Sequence, residues 1–218
     1  MRILIGIATA LCLIVAILRL TPRPADTTPE WVFATDARDI DYCDLPVLDG
    51  SGPTADEIPK AYTPGCGFTQ FPRPVLASCT EPLSPGSADL RGLWRSYSGR
   101  EGHVEHIEQC GNRLIVNSST VIHDFRTDGS LANGNNDVEM MCLRTWSSEK
   151  FIDGVLHHYA FGLIPVVTRE LEGEGEGEGE GESEELVWKY PGFGETRMKR
   201  ICKLPELNAR ALALPAAS

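Results

Sequence analysis

Side chains able to do chemistry are few and lie mostly in the second half of the chain. All five histidines, His103, His106, His123, His157 and His158, fall between residues 103 and 158. Neutral imidazole is a common metal and haem ligand, so they are the first group to weigh. In extended chain, however, successive side chains face opposite ways. His103 and His106 then point apart, as do His157 and His158, and at most three rings can converge. Surface or hydrogen-bonded histidines are the simpler reading. His123 precedes Asp124, and a carboxylate can orient an imidazole, but neighbours on a strand also face apart. The acidic and amide residues Asp128, Asn133, Asn135 and Asp137 lack the spacing of an EF-hand and read as a polar turn. Neither a metal site nor a cofactor is expected.

Nucleophilic catalysis finds no better footing. There is no G-x-S-x-G elbow, and no acid/base pair stands out among the carboxylates of HVEHIE or of the Glu-Gly run. No enzymatic activity is expected. Six cysteines, Cys43, Cys66, Cys79, Cys110, Cys142 and Cys202, contain no C-x-x-C and no zinc-ligand spacing. An even number in an exported chain predicts disulfides, with fifteen pairings open. The triplet Asn117-Ser118-Ser119 is a glycosylation sequon.

Export is the reading of the N-terminus. Residues 3–18, ILIGIATALCLIVAIL, are apolar or small and are flanked by Arg2 and Arg19. As a helix they extend about 24 Å, short of a hydrocarbon core of roughly 30 Å. Residues 1–20 therefore read as a signal peptide or signal anchor, with no clear small-residue cleavage site. The expected location is extracytoplasmic, periplasmic or secreted, with the membrane as a partner through this segment if it is uncleaved. Residues 21–30 form a Pro/Thr-rich linker. The net charge of −11 is no statement about partners, because the six carboxylates of residues 172–182 supply more than half of it. Lys and Arg form no basic stripe, so nucleic acid is not an expected partner.

The elements that position these residues are strands. Residues 31–88 carry turn residues and three cysteines without sustained periodicity, and predict an irregular, disulfide-pinned segment. From residue 89, GHVEHIEQ, GNRLIVNSS, STVIHDF and DVEMMCLRTW alternate or run β-branched. Asp153-Gly154 marks a hairpin between FI and VLHHYAF, and LIPVVTREL, ELVWKYPGF and ETRMKRICKL follow. The prediction is an all-β, antiparallel up-and-down barrel of about 8–10 strands over residues 89–205. The Glu-Gly run of residues 172–182 reads as a low-complexity loop, since as a strand it has nothing to bury. Residues 206–218 form a C-terminal tail.

Gly92-Leu93-Trp94 stands at the start of this region and Thr196-Arg197-Met198-Lys199-Arg200 at its end. The combination resembles the calycins, above all the lipocalins, whose first strand opens with Gly-x-Trp and whose last strand packs a basic residue over that Trp. The resemblance implies that Gly92, Trp94 and Arg200 close the barrel. It further implies a ligand-binding role for Arg197 and Lys199, at the place where fatty-acid-binding proteins carry Arg-x-Tyr. The expected function is then a non-enzymatic carrier holding a small hydrophobic or amphiphilic molecule in the barrel. The alternative is a structural or assembly protein of the cell envelope with a filled barrel. Lumen packing separates the two.

Overall fold

The computed structural model describes residues 2–20, 28–34, 36–118, 120–131, 138–139, 143–144, 146–173, 184–192 and 194–205. Cys142, most of the Glu-Gly run and the C-terminal tail lie outside the described residues. Among the described residues, helix α1, Arg2–Leu20, is followed by three single turns of 3-10 helix and then mainly by strands. No helix among the described residues is long and apolar enough to cross a membrane.

Eleven strands follow: β1 (Gly92–Ser98), β2 (Val104–Cys110), β3 (Arg113–Ser118), β4 (Val121–Arg126), β5 (Val138–Glu139), β6 (Leu143–Arg144), β7 (Ser147–Ile152), β8 (Val155–Ala160), β9 (Ile164–Glu172), β10 (Glu185–Tyr190) and β11 (Gly194–Ile201). Nine of them form one antiparallel sheet in the order β4-β3-β2-β1-β11-β10-β9-β8-β7. The first barrel strand thus pairs with the last. The sheet curls until its two edges nearly meet, where Asp128 bridges to Lys150 and the Gly129 N–H donates to the Glu149 carbonyl at 2.9 Å. The result is an all-β, up-and-down, nearly closed barrel. Strands β5 and β6 pair with each other and stand outside that sheet. Of the extended pattern DVEMMCLRTW, the described residues 138–139 and 143–144 are strands, as expected, but in a separate two-stranded sheet. At the β7–β8 hairpin Asp153 and Gly154 both have positive φ, 50° and 80°, as a two-residue primed turn requires.

Two apolar cores arise because β2, β3 and β4 are covered on both faces. Their inward side chains join Leu90, Trp94, Ile107, Leu114, Leu156, Leu186 and Met198 in the lumen. Outward, Cys110, Ile115 and Ile122 are covered by Val32, Ala55, Ala61, Phe68, Val75 and Leu76 of the irregular segment. That segment, residues 28–89, lies as a strap across the outer wall. It is tied down by Cys43–Cys202 and Cys79–Cys110, and Cys66 is also disulfide-bonded. Such cross-links belong to an oxidising compartment. A buried Arg113–Asp124 pair adds to them. Arg113 donates to Asp124 through Nε and Nη2 (2.9 and 2.8 Å) and to the carbonyls of Ala55, Ile58 and Pro59. Asp124 in turn accepts from the Ala61 N–H at 2.8 Å.

Candidate functional site

Among the described residues the lumen is packed with side chains. Trp94, Ile107, Leu114, Leu156, Leu186 and Met198 are fully buried, so nothing the size of water touches them. Glu105 also points inward, and Arg169 donates to it through Nε at 2.7 Å and Nη2 at 3.3 Å. Burial would raise the Glu105 carboxyl, but the Arg169 guanidinium together with His103 outweighs it and holds the group at about 2. Arg169 also lies 4.9 Å from the ring of Trp188. Inward-facing His158 pairs with Glu149, whose Oε2 is buried without a partner.

At one end of the lumen the Arg200 guanidinium lies 4.6 Å above the buried Trp94 ring, and the indole N–H donates to the Leu90 carbonyl at 3.0 Å. Gly92 has φ +136°, and a Cβ there would lie 3.1 Å from Arg200 Nε, so glycine leaves the arginine its room. Arg100, in the β1–β2 turn, lies 5.5 Å from the Trp188 ring. Arg197 and Lys199 are placed differently. Strand alternation sends both to the outer surface, where Arg197 pairs with Glu172, Glu185 and Glu195 and Lys199 lies over Tyr97. Neither faces the lumen, so the interior ligand role implied by the resemblance has no geometry here.

The histidines likewise separate. His123 and His158 meet edge to face in the lumen with ring centres 6.3 Å apart, and His103 contacts Ser118 at 3.0 Å. His106 lies outside under the strap and His157 stacks on Tyr159. Asp124 faces away from His123 and belongs to Arg113. Among the described residues the one group of three metal-ligand types within reach is Asp41, Cys43 and Cys202, and both sulfurs are spent on their own disulfide. The sequon Asn117 is fully buried beneath the strap.

An open space lies on the other side of the wall. Residues 40–46 and 73–77 of the strap cross the outer face of β2 side by side, and between them is a pocket of about 420 Å³. That volume suits a small organic ligand. Its walls include Ile40, Leu45, Pro46, Pro74 and Leu76, and Asp41, Asp44, Arg73 and Arg91 line it as well. Cys43, bonded to Cys202, lies within one of these strap segments and Cys79, bonded to Cys110, just beyond the other, and Arg91 fixes the rim by donating to the Pro46 carbonyl at 2.7 Å while paired with Asp89.

The outward side chains of β2, His106 and Glu108, form the floor. Glu108 Oε2 accepts from the Leu76 N–H at 2.6 Å, whereas Oε1 is buried without a partner. Burial, resisted by backbone donors at Leu76 and Val75, pushes this carboxyl up to about 7. His106 Nδ1 lies 3.6 Å from Oε1, but burial presses the imidazole down to about 3, so the two are not an ion pair at neutral pH. The Asn117 amide, 3.4 Å from His106 Nδ1, assigns the imidazole proton to Nε2 if it donates there. Tyr42 packs edge-on against His106 with ring centres 4.6 Å apart, and burial followed by the Glu108 charge raises its hydroxyl well above the usual range.

In the sequence His106 is one of five histidines weighed as ligands, and Glu108 does not stand out at all. The signal was the alternation of HVEHIEQC, which puts His106 and Glu108 on the face opposite Glu105. What that face meets is decided some thirty and sixty residues away, in the strap.

No known family, curated protein or solved structure matches the chain. The likeness to calycins accordingly rests on architecture, a nearly closed antiparallel barrel of nine strands in its main sheet.

Proposed function

We propose that this chain is an extracytoplasmic, non-enzymatic binding protein of lipocalin-like design in which the ligand site has moved from the lumen to the pocket beneath the strap. The lumen serves as frame. A small amphiphilic molecule is held between the strap and β2, its apolar part on Ile40, Leu45 and Leu76. The observation that carries this reading is the 420 Å³ pocket lined by Glu108, whose Oε1 is buried without a partner among the described residues, since such groups are normally satisfied. The disulfides and the apolar N-terminal segment support export, as a secreted or periplasmic protein or one anchored by residues 3–18.

A second reading, an envelope assembly protein, is favoured by the filled lumen and by the β8–β9 turn, where Leu163 is 83% exposed beside Ile164 and Phe161. Native mass spectrometry of protein purified from its own host tests both. The expected result is a small-molecule adduct, one per chain, lost in Ala77→Trp, which fills part of the pocket. A co-purifying protein with an empty pocket would favour assembly instead.

A further inference from the structure

Glu108 lines the pocket, with one carboxyl oxygen spent on the Leu76 N–H and the other, Oε1, buried without a hydrogen-bond partner among the described residues. We propose that the pocket selects small organic ammonium compounds, with the ammonium group donating to Glu108 Oε1 and the apolar body lying between the two strap segments. This rests on the pocket being the binding site.

The argument is one of charge and hydrogen-bond capacity. A carboxylate accepts only, and an ionised one in an apolar site needs both a donor and a counter-charge. Among the described residues no hydrogen-bond donor reaches Oε1 and no Lys or Arg forms an ion pair with it. Arg113 is committed to Asp124 and to three strap carbonyls. Arg91 is committed to Asp89 and Pro46. Arg73, also in the lining, makes no ion pair with Glu108 among the described residues. His106 is neutral, and Tyr42 directs its hydroxyl to the Pro72 carbonyl at 3.4 Å. With Arg91 neutralised by Asp89, the lining keeps Asp41, Asp44 and Glu108 against Arg73 alone. A ligand cation therefore meets a site of opposite sign, and its N–H completes the one acceptor left open. A ligand carboxylate would instead face the buried acid. A hydroxyl would satisfy the oxygen without neutralising it.

Glu108 passes from acid to carboxylate near pH 7 in the empty pocket. An ammonium ligand needs the ionised form, so its affinity rises with pH until that ionisation is complete. From pH 6 to pH 8 the ionised fraction grows about tenfold, and the association constant should follow.

Titration calorimetry of the full chain with benzylammonium, benzyl alcohol and benzoate separates the possibilities, because the three probes share one apolar body. Benzylammonium is expected to bind one per chain, more tightly than either of the others, and about tenfold more tightly at pH 8 than at pH 6. Glu108→Gln keeps an oxygen for the Leu76 N–H. It should weaken benzylammonium at least tenfold at pH 8 and flatten the pH profile. Should that variant not fold, the wild-type pH profile and the order of the three probes decide. Equal or tighter binding of benzyl alcohol or benzoate, or a benzylammonium affinity independent of pH, would overturn the ammonium assignment. If those neutral or anionic probes were displaced by Ala77→Trp, the pocket itself would stand. If no probe bound, the ammonium assignment would fall, and the pocket would then rest on the adduct seen by native mass spectrometry.

Discussion

Trp94 and Arg200 meet at the junction of the first and last barrel strands, and their contact is the most economical measure of how that junction is held. The indole is fully buried, satisfied by the Leu90 carbonyl and covered by a guanidinium whose own side chain is 35% exposed. Truncation of a large buried aromatic costs about 3–5 kcal/mol through lost contacts and the cavity left behind. Arg200 contributes less, through packing and a cation–π attraction of about 0.5–2 kcal/mol. Chemical denaturation of Trp94→Ala, Arg200→Ala and the double variant is expected to show the double loss falling short of the sum. Additive losses would mean that the two side chains act independently. Buried charges were harder to read at this scale. Glu105 and Glu108 stand three residues apart in one strand, yet one ends below its usual range beside Arg169 and the other above it with no cation in contact. Alternation in HVEHIE puts them on opposite faces but does not say which keeps its charge, because that depends on which distant segment covers each face.

Among the elements, strands written by local alternation were legible: β2, β3 and β4 each follow an alternating or β-branched run, and Asp153-Gly154 turns the chain between β7 and β8. The same alternation foretells β5 and β6 as extended chain but not the separate two-stranded sheet they form, since an extended pattern says nothing about which edge it joins. The strap was legible only as an irregular, cysteine-bearing segment. Its docking had no periodic signal, because it binds through carbonyls and single side chains rather than through a repeating face. Thr63 illustrates this. Its Oγ1 accepts from the Ile122 N–H at 2.9 Å and donates to the Ile122 carbonyl at 3.1 Å, so one hydroxyl does for the edge of β4 what a neighbouring strand would do. Arg113 does the same for residues 55–59. Replacing it with Met removes the charge while keeping much of the volume, and leaves Asp124 buried beside three unpaired carbonyls. A loss of about 3–5 kcal/mol is expected, as for one partner removed from a buried pair. Amide exchange should rise first in residues 55–63. A stability change below about 1 kcal/mol would show that strap docking rests on its apolar residues alone.

For the molecule as a whole, the two cores are stacked on opposite faces of the same three strands, so stability is divided between a barrel and a cover. The described disulfides bear on that division unequally. Cys43–Cys202 spans 159 residues and Cys79–Cys110 spans 31, for which loop-closure entropy gives about 5 and about 4 kcal/mol. Yet the longer link does not itself close the barrel, because β1 and β11 are joined by their own ladder from Leu93↔Ile201 to Ser98↔Arg197 and by Trp94 beneath Arg200. What it fixes is the strap segment that forms one side of the pocket. The Tyr42 N–H donates to the Cys202 carbonyl at 2.7 Å, so the Tyr42 amide reports on that segment directly. In a Cys43→Ser/Cys202→Ser variant, global stability should fall by as much as about 5 kcal/mol, because the unfolded chain regains its freedom. Native-state hydrogen exchange should nevertheless show residues 40–46 opening well below the global unfolding energy, while amides in the centres of β1 and β11 exchange only with it. Affinity for the proposed ligand should fall with strap protection, since a loosened segment must be ordered again on binding. Opening of β11 together with residues 40–46 would reverse this assignment, and would make the disulfide the true closure of the barrel.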